Sequence, residues 1–265
     1  EASMPGALAI VDNRRFVLQN FLILLKPILM IQENKDCLNF YSDTALRYNL
    51  FIMNKKNKAK FCTFYIIRHG ETEWNIKGII QGQKDSPLTE NGINQAKNIV
   101  KVFKDVKFNA IYSSDLLRAK RTAEIIALEK NIAMKTSKLL RERLMGKFQG
   151  IKYQKMREKL KEQFEERNKL AKEKRFKFKI ADNIESDEEL ISRFITFLRQ
   201  LAVADSGKKI LIVTHGGLMR VFLIHLGWAE YDGFPAGTID NTGYIIIESD
   251  GVDFFIKKVF GVRKN

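Results

Sequence analysis

Phe61-Cys62-Thr63-Phe64-Tyr65-Ile66-Ile67 runs directly into Arg68-His69-Gly70. The first seven residues form a short apolar run rich in β-branched and aromatic side chains, which reads as a strand. The next three place a cation, an imidazole and a glycine at the strand's exit. The same pattern recurs downstream. Phe108–Tyr112 leads to Ser113-Ser114-Asp115 and Arg118, and the weaker strand Ile132–Thr136 is followed by Arg141-Glu142. Ile210–Val213 leads to His215-Gly216-Gly217.

Helical periodicity fills the intervals at 89–104, 115–130, about 152–175 and 187–204, with Thr89 and Ser114 as expected N-caps. Gly216–Leu226 reads as a further helix closed by Gly227. Tyr244–Glu248 and Phe254–Val259, joined at Asp250-Gly251, read as a hairpin. Such alternation predicts a three-layer α/β/α sandwich around a mostly parallel sheet, with the hairpin as an antiparallel edge element. In an open α/β sheet the loops after the strands converge on one crevice, so the four polar clusters are expected to meet.

That crevice would hold two histidines, two arginines and a glutamate. Guanidinium forks match phosphate oxygens, and helix N-termini at Gly216 and near Ser114 would add N–H donors toward an anion. A histidine held among cations stays unprotonated and can attack phosphorus. Gly70 would let the backbone turn tightly beside the phosphate. Each piece also has a plainer reading. Arg118 and Arg121 could be surface charges on a polar helix, and Glu142 could simply pair with Arg141 or Arg143. His225 reads as a structural residue on the apolar Phe222–Leu226 face.

The 265 residues suffice for one sizeable domain with an appendage. Two cysteines, Cys37 and Cys62, make no disulfide framework, and no Cys/His cluster has metal-ligand spacing. A reduced, cytoplasmic protein is the default reading. Net charge is +15, and residues 151–180 hold twelve Lys/Arg against five Glu. No nucleic-acid recognition motif accompanies this charge, so it reads as a solvated helix face whose field attracts a phosphorylated substrate.

Residues 1–60 read as a separate N-terminal extension. Phe16–Ile31 is apolar but broken by Lys26-Pro27, and it falls short of the roughly 20 residues a transmembrane span needs. Two readings stay open. Either Met53, which opens MNKKNKAK, is the natural start, or the extension packs on the domain or touches a membrane surface.

Arg68-His69-Gly70-Glu71-Thr72-Glu73-Trp74-Asn75 resembles the signature of the histidine phosphatase superfamily, which includes the cofactor-dependent phosphoglycerate mutases. The resemblance extends through Gln81-Gly82, Asp85-Ser86-Pro87-Leu88-Thr89 and Gly92 to Ser113–Ala119 with Arg121-Thr122-Ala123. It continues through Leu140-Arg141-Glu142-Arg143 with Gly146 and Gly150, and through Thr214-His215-Gly216-Gly217 with Arg220. The resemblance spans about residues 61–260, which places a catalytic domain at 61–265, and the helical pattern at about 151–185 reads as a lid inserted in it.

By the same resemblance His69 is the phosphoryl acceptor, with Arg68, Arg118 and His215 forming the phosphate pocket and Asn75 a further phosphate contact. Glu142 is the proton donor to the leaving oxygen. The Gly216 amide touches the phosphate, and Gln81 and Gly82 line the substrate side. No cofactor or metal is implied, and the one partner is a small phosphorylated substrate. Gln81-Gly82-Gln83 and Leu140–Gly150 look more like the phosphatase branch, including fructose-2,6-bisphosphatase-type and broad-specificity members, than the mutases. A phosphoglycerate mutase is the alternative, and a catalytically idle binding or regulatory module is a further one. Met156, Leu160 and Phe164 form one apolar stripe on the lid helix, whose basic residues would suit a bisphosphorylated sugar.

Overall fold

The computed structural model describes residues 60–264. Phe16–Ile31 and Met53 lie outside them. No helix among the described residues is long and apolar enough to cross a membrane.

β1 (Cys62–Arg68), β2 (Ala110–Ser114), β3 (Met134–Ser137), β4 (Lys209–Thr214), β5 (Ile239–Ser249) and β6 (Phe254–Val262) form one sheet in the order β3-β2-β4-β1-β5-β6. The β1–β4, β4–β2 and β2–β3 pairs are parallel, while β5 runs antiparallel to both β1 and β6. The expected mostly parallel sheet with an antiparallel edge is thus the fold found.

Helices cover both faces because alternate residues of the central strands are apolar on both sides. Phe64, Ile66, Ile210 and Ile212 point into one core with α7 (Asp187–Ala204) and α8 (Gly216–His225). Tyr65, Ile67, Leu211 and Val213 point into the other, with α2 (Glu90–Val102) and α3 (Leu117–Lys130). Strand register then brings two loops together. Arg68 pairs with Thr214, and the His69 amide donates to the Thr214 carbonyl at 3.0 Å. The residues after β1 and β4 therefore leave the sheet side by side.

Several local expectations change. Thr89 does cap α2, accepting from the Gly92 amide. Ser114 does not cap α3: it ends β2, its hydroxyl accepts from the Leu116 amide at 3.3 Å, and α3 begins after an uncapped Leu116. A short helix, α1 (Glu73–Ile76), is added behind a Thr72–Asn75 capping box.

The segment expected to form a lid is three helices rather than one: α4 (Tyr153–Lys159), α5 (Lys161–Lys169) and α6 (Lys172–Lys177). It bends because its apolar residues serve two cores. Met156, Leu160 and Phe164 pack with Phe148 and Ile184 in a small lid core, whereas Phe176 packs on the main core. Phe176 also stacks on His225, which is a surface residue.

Candidate active site

Arg68 closes β1 with its side chain part-buried. Nη1 donates to the Ile239 carbonyl at 2.5 Å, while Nε has no partner. His69 follows, 3% exposed, and its Nδ1 lies 2.7 Å from the Gly70 carbonyl. A carbonyl only accepts, so Nδ1 carries the proton and Nε2 keeps its lone pair. Burial, then the nearby Arg118 and Arg68, hold this ring well below the ordinary imidazole range, and it is neutral at pH 7.

His215 stands 5.3 Å away, ring centre to ring centre. It is fully buried, and neither ring nitrogen has a partner. Burial, then Arg118 and His69, likewise keep it neutral. Buried polar atoms are rarely left unpaired. Here the Nε atoms of Arg68 and Arg118 and both ring nitrogens of His215 are left without a partner.

Arg118, in the first turn of α3, is buried rather than a surface charge, and burial pulls its guanidinium down to about 10. Its Nη2 donates to the Gly82 carbonyl at 2.7 Å and its Nη1 to the Lys84 carbonyl at 2.8 Å and to Asp85. Nε is left unpartnered. The fork therefore clamps the loop at Gly82–Asp85. Gly82 has φ +55°, which favours glycine. Arg121 takes the plainer reading, exposed and paired with Glu124 at 2.7 Å.

Glu142 forms no ion pair with the guanidiniums on either side of it. Arg141 binds Asp115 and Arg143 binds Asp187. The Glu142 carboxylate accepts instead from the Arg143 amide at 2.7 Å and the Gly217 amide at 2.9 Å, in the first turn of α8. At Gly216 an added Cβ would come within 3.1 Å of Arg68 Cδ and Nε, so a larger residue would press on the Arg68 side chain.

Gly70 acts differently from expectation. Its φ is not in the left-handed region, and a Cβ there would lie 2.5 Å from the Gly92 carbonyl oxygen. It is small so that the loop after β1 can pack against α2.

Two residues that the sequence left without a role orient the rest. The fully buried Thr72 hydroxyl accepts from Gln81 Nε2 at 2.8 Å and donates to Asn75 Oδ1 at 2.9 Å. Asn241 Nδ2 donates to the His69 carbonyl at 3.1 Å and to Asn75 Oδ1 at 3.3 Å. The Asn75 amide is thereby set with its nitrogen free of these contacts, and Gln81 keeps a buried, unpartnered Oε1. Thr242, beside Asn241, holds φ +59°, an unusual conformation for a β-branched residue, where β5 shifts register.

Most of the candidate residues meet in a cavity of about 300 Å³. Eight of the nine candidate residues line it: Arg68, His69, Asn75, Gln81, Gly82, Arg118, Glu142 and Gly216. His215 lies behind, against His69. The lid supplies the apolar wall through Tyr153, Met156, Phe164, Phe178 and Ile180. Of its twelve basic residues in 151–180, Arg167 lines the cavity and Arg175 is buried against Asp232; the other ten are exposed. The lid's charge mostly faces solvent.

Fold and site together give an α/β sandwich with a cavity lined by arginines and a histidine at the carboxyl edge of its sheet. Residues 64–260 match the histidine phosphatase superfamily (branch 1). Phosphoglycerate mutase-like protein 4 of Arabidopsis thaliana is 35% identical over 162 residues, 60% of this chain and 69% of that protein. The metal-independent phosphoserine phosphatase of Arabidopsis thaliana is 34% identical over 185 residues, 67% of this chain and 74% of its own. Among solved structures, Bacillus stearothermophilus YhfR matches with a TM-score of 0.66 at 29% identity, covering 76% of this chain and 98% of that one. The chain belongs to the histidine phosphatase superfamily and is an enzyme of the phosphatase type.

Proposed function

We propose that this chain hydrolyses small phosphomonoesters through a phosphohistidine on His69. The observation that carries the reading is the hydrogen bond from His69 Nδ1 to the Gly70 carbonyl, which leaves Nε2 as the nucleophile among Arg68, Arg118 and His215.

In the first step Nε2 attacks phosphorus and the P–O bond to the leaving group breaks. Glu142 delivers a proton to the departing oxygen. In the second step water attacks phosphorus, the N–P bond breaks, and Glu142 takes a proton from the water. Phosphoryl transfer has a loose transition state, so a pre-set cradle of charge and a fixed in-line nucleophile supply most of the acceleration. Asn75 and the Gly216 amide would hold phosphate oxygens, and Gln81 and Gly82 would face the substrate. We assign residues 61–265 to the catalytic domain, with the lid at about 151–185 folding over it.

Support for a phosphatase comes from the relatives named for phosphatase activity. The case for a bisphosphorylated sugar such as fructose 2,6-bisphosphate loses its first argument, because ten of the twelve lid cations face solvent. The test is turnover of p-nitrophenyl phosphate in the presence of a chelator. Hydrolysis is expected, and no turnover would refute the reading. Incubation with 2,3-bisphosphoglycerate and 3-phosphoglycerate tests the mutase: phosphate release exceeding isomerisation is expected, and the reverse would make the chain a mutase.

A further inference from the structure

His69 takes its tautomer from a backbone carbonyl, and a carbonyl aims only where its peptide plane is held. That carbonyl belongs to the Gly70–Glu71 peptide, and His69 Nδ1 lies 2.7 Å from it. The other end of the same peptide is the Glu71 amide, which donates to Gln95 Oε1 at 2.9 Å. Among the described residues no other acceptor meets that amide. An amide hydrogen needs an acceptor, so Gln95 presents its oxygen and not its NH2 to the peptide. Gln95 therefore stands one peptide group away from the nucleophilic ring, and it does not line the cavity.

The helix that carries Gln95 is itself fixed to this loop. The Glu71 carbonyl accepts from the Thr89 amide at 3.0 Å. Glu71 Oε1 accepts from the Thr89 hydroxyl at 2.8 Å and from Asn91 Nδ2 at 3.2 Å. Gln95 follows Asn91 by four residues and Gly92 by three, so α2 presents it on the face that meets Gly70 and Glu71. The preceding peptide, His69–Gly70, is held from two other elements. Asn241 Nδ2 donates to its carbonyl at 3.1 Å, and its amide donates to Thr122 Oγ1 at 3.0 Å. The Thr122 hydroxyl in turn donates to the Arg118 carbonyl at 2.8 Å.

A peptide whose N–H is hydrogen-bonded becomes a better acceptor at its carbonyl, because bonds in a chain polarise one another. Which ring nitrogen of a histidine holds the proton is set by the bond the other makes. We infer that Gln95 is a positioning residue for the nucleophile. Acting through the Gly70–Glu71 peptide, it keeps the proton on His69 Nδ1 and leaves Nε2 free to face the cavity. This inference rests on the reading of His69 as the nucleophile, and it adds a residue on α2, outside the cavity, to the groups on which the reaction depends.

The test compares the full chain with Gln95→Met and Gln95→Glu on p-nitrophenyl phosphate. Here kcat/KM reports the attack of His69, while competitive inhibition by inorganic phosphate reports the arginine cradle. Gln95→Met keeps the length of the side chain and removes the acceptor. It is expected to lower kcat/KM about three- to tenfold, the worth of one hydrogen bond, with phosphate inhibition unchanged within about twofold. Gln95→Glu keeps an acceptor and is expected to hold kcat/KM near the wild-type value. In chains carrying isotopically labelled histidine, the His69 Nδ1 proton resonance, assigned by its loss in His69→Ala, should move upfield in Gln95→Met and downfield in Gln95→Glu. Wild-type kcat/KM in Gln95→Met, or equal losses in both variants, overturns the relay. Equal losses of kcat/KM and of phosphate binding also overturn it, because Gln95 then merely supports the loop. Should Gln95→Met not fold, Gln95→Glu decides: a downfield shift with kcat/KM kept supports the relay, and an unmoved resonance or lost turnover overturns it. If the wild-type chain turns over p-nitrophenyl phosphate and these effects are absent, only the relay falls; if it turns over nothing, the phosphatase reading falls with it.

Discussion

The Gly217 amide donates to Glu142 Oε2 at 2.9 Å, and a Cβ on Gly217 would come within 2.6 Å of Glu142 Oε1. The first turn of α8 is thus fitted to that carboxylate. Gly217→Ala is expected to push Glu142 out of place and to lower kcat/KM at least tenfold with little loss of stability. Glu142→Ala should cost about 10²–10⁴-fold on alkyl phosphates. On p-nitrophenyl phosphate, whose leaving group needs little protonation, both losses should be smaller. Equal losses on both substrate types would remove Glu142 from proton delivery.

Gly70 lies against the Gly92 backbone, and backbone cannot move aside as a flexible side chain would. Gly70→Ala should therefore destabilise the fold by about 1–3 kcal/mol, the usual cost of overpacking. Denaturant unfolding measures this. A loss below about 0.5 kcal/mol would show that the loop after β1 has room to shift.

Burial and neighbouring guanidiniums depress both His69 and His215 in the folded state. The unfolded chain, with histidines near pH 6.5, binds their protons first, so stability is full above about pH 6.5 and falls as pH drops below it. Each ring contributes up to about 1.4 kcal/mol per pH unit in that window. His225 shifts in the same direction. Asp187, depressed below the carboxylate range, acts only at lower pH. Unfolding between pH 5 and 8 should show this slope, and His215→Asn should reduce it. An unchanged slope would place the protons elsewhere.

Thr72 sets the amides of Asn75 and Gln81. Thr72→Val keeps the shape and removes the hydroxyl, so it should raise KM for small phosphomonoesters several-fold while kcat falls less. Steady-state kinetics checks this, and unaltered KM would make Thr72 a plain capping residue of α1.

Much of this site was legible in the sequence because strand ends are legible. β1 and β4 are continuous apolar runs, and His69 and His215 follow them directly, so a parallel sheet was enough to bring them together. Arg118 and Glu142 stood out by type and by family resemblance, but their partners did not. The Gly82 carbonyl that Arg118 holds and the amide that Glu142 accepts from are backbone groups, which no side-chain pattern reveals.

Asn241 was missed because it joins the site from β5, after an irregular stretch, with only a register shift to mark it. The lid misled for a different reason. Spacing of four at Met156, Leu160 and Phe164 is correct for the lid core, but it carries no information about Phe176, which belongs to another core and bends the chain.

The mechanism turns on phosphorus becoming bonded to His69 Nε2. Rapid acid-free quenching during turnover of a phosphorus-labelled monoester, followed by peptide mapping, is the decisive measurement. An alkali-stable, acid-labile phosphoryl group is expected on the peptide containing His69, with label and turnover both lost in His69→Ala. Label on another residue, or near-normal hydrolysis by His69→Ala, would contradict it.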